Sequence, residues 1–218
     1  MAIEVDVDSS TVFTEDKLVS RTNPFLQFRA WLTKAQECDQ IPEANAVCLS
    51  TSTKDGKPSS RMMLMKTYTE SGFTFFTNHE SRKGKELEEN PNAALLFHWP
   101  QIRYTVRIEG TMKKVSEKDS MDSFHSLPKA NQATIVVSNQ SREISSRDEL
   151  VARQREVLEK YQGEDQVIPK PAHWREYILS PTVFEFYCRQ SAYLDDRIVF
   201  TKDTVAGSWS IKRLAPRK

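Results

Sequence analysis

The chain has 218 residues, 38% of them hydrophobic, and 31 Lys and Arg against 30 Asp and Glu give a formal net charge of +1. That length suits one compact domain whose core needs no covalent staples. The balanced charge offers no overall basic footprint for nucleic acid or an anionic membrane.

The acidic opening, MAIEVDVDSSTVFTEDK, lacks the basic and then apolar pattern of a signal peptide. No apolar run approaches the roughly 18 residues of a membrane span. Cys38, Cys48 and Cys188 form neither a disulfide framework nor a zinc spacing, which points to a reducing, cytoplasmic setting. Residues 1–20 are polar and weakly periodic and read as a mobile arm ahead of a single domain over 21–218.

Asn23-Pro24 opens a helix, with Phe25, Phe28, Trp31, Leu32 and Ala35 on one apolar face. Ala46–Thr53 and Ser59–Thr67 flank Asp55-Gly56, a hairpin signal. Residues 72–77 are a third strand. Ser81 then caps a short charged helix that stops at Asn90-Pro91. Residues 93–99 and 102–115 read as two longer strands around a turn at Pro100. Ser116 begins a helix of capping-box type, Pro128 breaks to a second helix reaching Val137, and Ser146 with Glu149 opens the clearest helix of the chain. A Pro-bearing linker over 163–171 returns to strands at 176–179, 182–187, 197–202 and 208–214. Seven to nine strands with few helices between them predict a mainly β fold with flanking helices (α+β), curled into a closed or nearly closed antiparallel barrel. The six glycines form no GxGxxG and no GxxxxGK.

Three segments could carry chemistry. In Arg61-Met62-Met63-Leu64-Met65-Lys66, a cation stands at each end of an apolar strand, which by itself reads as a pair of snorkelling strand ends. In Phe75-Phe76-Thr77-Asn78-His79-Glu80-Ser81-Arg82-Lys83-Gly84-Lys85, a strand runs into a helix N-terminus that carries a hydroxyl and two cations. Cations in a first turn oppose the helix dipole, so this is either an anion site or a capped helix with a solvated basic turn. Arg107 and Glu109 share one face of a strand and read as an ion pair. His79, His98, His125 and His173 show no metal-binding spacing, so no metal is expected.

Taken in order, NPFLQFRAWL, EANAVCLSTSTKDGKPSSRMMLMK, GFTFFTNHESRKGKELEENPNAALLFHW, VRIEG, VVSNQS, LDDRIVF and RLAP are similar to the pyridoxamine/pyridoxine 5′-phosphate oxidase family, over roughly residues 23–216. The resemblance implies a split β-barrel homodimer with FMN at the subunit interface. It implies FMN contacts from Arg61, Met62, Met63, Leu64, Phe76, Thr77, Ser81, Arg82, Lys83, Thr105, Gln140, Ser141, Tyr187 and Arg197. It implies a substrate site at Lys66, Ser123, Leu127, Asn131, Tyr193 and Asp195, with Arg197 and Asp195 near the reacting carbon. The implied reaction oxidises pyridoxine or pyridoxamine 5′-phosphate to pyridoxal 5′-phosphate by hydride transfer to FMN, with O2 as the final acceptor.

The family usually has Gln at Thr105 and Trp at Tyr187. At Ser123, Leu127 and Asn131 it has Tyr, Arg and Ser, and its RxH reads Tyr193-Leu194-Asp195 here. Two arginines are thereby lost from the substrate site. Each charge-assisted hydrogen bond is worth about 1.5–3 kcal/mol, so phosphate binding weakens by roughly two to four decades unless Lys129, Arg142 or Arg189 substitutes. Two alternatives follow from the same residues: an FMN-binding paralogue acting on another substrate, and a flavin-binding protein with little or no oxidase activity.

Overall fold

The computed structural model describes residues 12–163, 165–190 and 194–216. Helix α1 (Pro24–Gln36) begins where Asn23 accepts a hydrogen bond from the Phe25 amide and Pro24 supplies a preset φ. Four strands follow: β1 (Ala46–Ser52), β2 (Pro58–Leu64), β3 (Thr67–Thr69) and β4 (Gly72–Asn78). After α2 (Arg82–Glu89) come β5 (Asn92–Trp99) and β6 (Tyr104–Lys114), then the helices α3 (Glu117–His125), α4 (Lys129–Val137) and α5 (Arg147–Lys160). Strands β7 (Trp174–Cys188), β8 (Asp196–Lys202) and β9 (Trp209–Arg213) complete the order. Ser81, Ser116 and Ser146 cap α2, α3 and α5 by accepting from Gly84, Asp119 and Glu149 amides.

Among the described residues, all nine strands join one antiparallel sheet of order β2-β1-β5-β6-β7-β4-β3, with β8 on β7 and β9 on β8. The strands at the two ends of this path, β2 and β3, are consecutive in sequence and separated only by Met65 and Lys66. The sheet therefore has to curl until its ends meet. Met65 N–H donates to Asn45 on one side of that seam, and Lys66 N–H donates to Thr74 on the other. This crossing is why the expected strand 59–67 is divided into β2 and β3. Helix α1 lies against the curled sheet, and its Phe28 ring centroid is 5.0 Å from those of Phe73 and Phe97. A second apolar cluster, Phe124, Ala133, Ile168 and Trp174, sits under α3 and α4.

The strands expected at 176–179 and 182–187 are one strand. Pro181 does not break it, because the register shifts between Glu109 and Gly110 and leaves Thr182 as an extra residue. Gly110 is required there: a Cβ would stand 2.2 Å from the Ser180 carbonyl oxygen. One edge of β7 pairs with β6, while the other carries β4 along Trp174–Leu179 and β8 along Val183–Cys188.

The arm expected over 1–20 is in contact with the barrel where it is described. Phe13 is buried against Trp31, its amide donates to Asp196 at 2.8 Å, and Glu15 pairs with Arg213 at 2.9 Å. No described helix is long and apolar enough to cross a membrane.

Candidate active site

The residues that the resemblance implies for the site fall at two ends of β7. The first group surrounds the N-terminus of α2. Strand β4 delivers Phe76 and Thr77, the capped turn presents Ser81, and α2 begins with Arg82 and Lys83. Lys83 Nζ reaches Gln140 Oε1 at 2.7 Å and Ser81 Oγ at 3.4 Å. The Arg82 amide donates to Ser141 Oγ at 3.3 Å, and Ser141 holds a left-handed φ of 71°. Gln140 and Ser141, which follow α4, are thereby brought to the turn after β4.

Arg61 comes in from the end strand β2. Its guanidinium donates to Thr51 Oγ1 at 2.6 Å, to Ser59 Oγ, and to Glu86 Oε2 at 3.4 Å. Glu86, one turn into α2, also takes a 2.9 Å bond from Arg82. Burial alone raises the Glu86 carboxyl, but hydrogen bonds from Ser59, Thr51 and Arg82 and the charge of Arg61 outweigh it and hold it down at about 2. Burial, with the Arg61 charge behind it, pushes the Lys83 ammonium down to about 8. Arg61, Arg82 and Lys83 against Glu86 leave two formal positive charges, which match a phosphate dianion.

A cavity of about 140 Å³ opens beside Lys83, lined also by Met63, Phe76, Thr77, Gln140 and Trp174. Two polar atoms of its lining residues, Thr77 Oγ1 and His173 Nε2, are buried with no hydrogen-bond partner among the described residues. Such groups cost free energy unless a ligand or water satisfies them. A cavity below the roughly 300–1,000 Å³ of a typical ligand site accommodates one end of a flavin nucleotide, not all of it.

Strand alternation separates the four residues at the end of β2. Arg61 and Met63 are half-buried on the side of this cavity. Met62 and Leu64 face the other way and are 66% and 53% exposed.

Lys66 sits at the barrel seam. Its Nζ lies 4.6 Å from the Phe76 ring centroid, 2.5 Å from Ser123 Oγ and 3.5 Å from Glu176 Oε1. Ser123 in turn donates to Glu176 Oε2 at 3.0 Å. Leu127 packs against the second apolar cluster, and Asn131 is exposed in the first turn of α4. The candidate substitute cations are elsewhere. Lys129 ties down the carbonyls of Tyr161 and Gly163, Arg142 pairs with Glu80, and Arg189 lines a separate cavity of about 770 Å³ with Phe13, Trp31 and Arg103.

The second group lies at the other end of β7. Thr105 is paired with Tyr187, and Tyr187 with Arg197. Thr105 Oγ1 is 3.0 Å from His98 Nδ1. The Tyr187 hydroxyl donates to Asp195, which also accepts from the Gln190 amide at 3.0 Å. Arg197 Nε meets the buried Glu185 at 3.1 Å, and Glu185 binds Arg107 from its other side at 2.8 Å. Arg107 also pairs with Glu109, as the strand face implied. Tyr193 lies outside the described residues.

Eleven residues separate Glu176 from Tyr187 along β7, roughly 35 Å of extended strand at about 3.3 Å per residue. Within one chain, the Lys83 group and the Arg197 group therefore stand apart. His173, Trp174 and Glu176 carried no usable sequence signal. Glu86 alone had one, its i+4 spacing from Arg82, which equally fits a solvated helix face. Among the described residues, no group of three or more His, Cys, Asp or Glu could hold a metal ion.

Comparison with known proteins fits this arrangement. The family pattern described as "Pyridoxamine 5'-phosphate oxidase" matches residues 33–161, and one described as "Pyridoxine 5'-phosphate oxidase C-terminal dimerisation region" matches 174–216. The chain is 45% identical to "Pyridoxine-5'-phosphate oxidase" of Bos taurus, across 94% of this chain and 82% of that protein. It is 47% identical to "Pyridoxine/pyridoxamine 5'-phosphate oxidase" of a Nostoc species, across 89% of each. Among solved structures, PhzG from Burkholderia lata, in complex with tetrahydrophenazine-1-carboxylic acid, superposes with a TM-score of 0.85 at 28% identity, covering 97% of this chain and 99% of that one. With its curled antiparallel barrel, its basic turn at Lys83 and matches over nearly its whole length, the chain belongs to the pyridoxamine 5′-phosphate oxidase family.

Proposed function

We propose that this protein binds FMN and oxidises pyridoxine or pyridoxamine 5′-phosphate to pyridoxal 5′-phosphate, with O2 reduced to hydrogen peroxide. The observation that carries the proposal is the cavity at Lys83. It combines the Lys83 ammonium, next to the net positive group of Arg61, Arg82 and Glu86, with two buried polar atoms that await a partner. Lys83, Arg61 and the N-terminal turn of α2 would hold the FMN phosphate, and Met63 and Phe76 would form an apolar wall. When bound, FMN supplies a two-electron acceptor.

The separation along β7 supports a homodimer as the working unit, with Thr105, Tyr187 and Arg197 of a second protomer completing each site. The match of residues 174–216 to a dimerisation region points the same way. Exposed Met62 and Leu64 on the end strand would then be covered by flavin or by the second protomer. Lys66 would face the substrate phosphate, while Arg197 and Asp195 would orient the substrate at its reacting carbon. The shared name of relatives at 45–47% identity supports this substrate over the two alternatives.

Anaerobic mixing with pyridoxine 5′-phosphate tests the proposal. The protein should purify yellow, or become so with added FMN, and bleach on mixing. A flavin that stays oxidised at millimolar substrate would remove the proposed activity.

A further inference from the structure

Lys66 already has an anion. Glu176 stands directly opposite Phe76 across the β4–β7 ladder, so both side chains project from one face toward the Lys66 ammonium. The Glu176 side chain is only 7% exposed. Its backbone is held as well: its amide donates to Ser120 Oγ at 3.2 Å, and its carbonyl accepts from the Val115 amide at 2.9 Å. Ser123 closes a triangle: it accepts from Lys66 at 2.5 Å and donates to Glu176 at 3.0 Å. The lysine and the carboxylate cancel in formal charge. Neither Leu127 nor Lys129, Arg142 or Arg189 adds a cation to this triangle.

We propose that Glu176 is a specificity-determining residue, a resident counter-anion for Lys66 that a substrate phosphate has to displace. The proposal rests on the reading of Lys66 as the phosphate contact. A dianion entering here gains the lysine but meets a fixed carboxylate 3.5 Å from it. The site therefore gains little from the phosphate and accepts the unphosphorylated ring nearly as well. Discrimination between the two is set by residue 176 through residue 66.

The test uses the FMN-loaded protein and two ring analogues that cannot be oxidised, 4-deoxypyridoxine 5′-phosphate and 4-deoxypyridoxine, with dissociation constants read by flavin absorbance. Wild type should prefer the phosphorylated analogue by less than about tenfold. Glu176→Gln, which keeps the side-chain shape, should raise that preference by about tenfold or more and leave the unphosphorylated analogue unchanged. Glu176→Ala should do the same should the Gln variant fold poorly. The gain should vanish in Lys66→Met/Glu176→Gln. An unchanged preference in both Glu176 variants, or a gain that survives loss of Lys66, overturns the proposal. If neither analogue binds any of these proteins, the vitamin reading of the site fails. Inorganic phosphate, followed by its phosphorus NMR linewidth, then decides the role of Glu176: tighter binding to Glu176→Gln, dependent on Lys66, sustains it, and equal binding overturns it.

Discussion

Lys83 Nζ lies 2.7 Å from Gln140 Oε1, joining two segments that stand 57 residues apart in the chain. Neither residue needs the other for the fold, since α2 is capped by Ser81 and Gln140 is exposed. Lys83→Met should therefore leave the urea midpoint nearly unchanged. It should weaken FMN binding by about ten- to a hundredfold, the value of one charge-assisted hydrogen bond. Fluorescence titration of the apoprotein with FMN measures this, and an unchanged dissociation constant would place the phosphate elsewhere.

The depressed Lys83 ammonium should give FMN binding a pH dependence. Burial and the Arg61 charge hold it at about 8 without a ligand. A bound phosphate favours the charged form and raises it again. The proton is present in both states well below that value, and above it is present only in the complex. Affinity should thus fall as the pH rises through about 8, and binding there should take up a proton. Calorimetry in buffers of different ionisation enthalpy, near pH 7 and near pH 9, reads the proton directly. Proton release at the higher pH contradicts this assignment.

Glu86 carries the opposite sign. Despite burial, the hydrogen bonds from Ser59, Thr51 and Arg82 and the Arg61 charge depress its carboxyl from 4.5 to about 2. Its stabilisation is complete above the ordinary value and is lost as the pH falls toward the lower one. Glu86→Gln should cost about 3 kcal/mol near neutrality, because it leaves a partly buried guanidinium without its anion. The difference from wild type should shrink below about pH 4. Urea unfolding at both pH values checks this; a gap that widens in acid would contradict it.

Glu185 holds together the arginines of the group at the other end of β7. Burial raises its carboxyl, but Arg107 and Arg197 bring it down to about 2. Glu185→Ala should destabilise by about 3–5 kcal/mol in urea and release the side chain of Arg197. In stopped-flow reduction it should lower the rate constant more than the apparent affinity. A variant of wild-type stability would show that the two arginines find other partners.

Much of this was legible in the sequence, for local reasons. Asn23, Ser81, Ser116 and Ser146 announced helix starts through side chains that cap within three residues. Alternation announced β6, and Asp55-Gly56 announced the first hairpin. What was hidden depends on distant partners. Pro181 looked like a strand end because its place in the ladder depends on β6, where the register shift at Glu109/Gly110 leaves Thr182 as the extra residue on β7. Phe13 looked like part of an arm because its partner, Trp31, is a helix residue. Glu176 read as one polar position in a strand, and only the β4–β7 register places it against Lys66. The resemblance named most of the half-site residues, yet their division between two ends of β7 needed the register of the long strand.

The division of the site between two protomers is tested most directly by mixing two inactive variants, Lys83→Met with Arg61→Met in one chain and Arg197→Met in the other. Each alone should fail to be reduced by pyridoxine 5′-phosphate. Unfolded and refolded together with FMN, half of the dimers are mixed and each holds one intact site, so about one quarter of wild-type flavin reduction should return. No recovery, from a mixture shown to contain mixed dimers, would mean that each chain builds its site alone and would contradict the account.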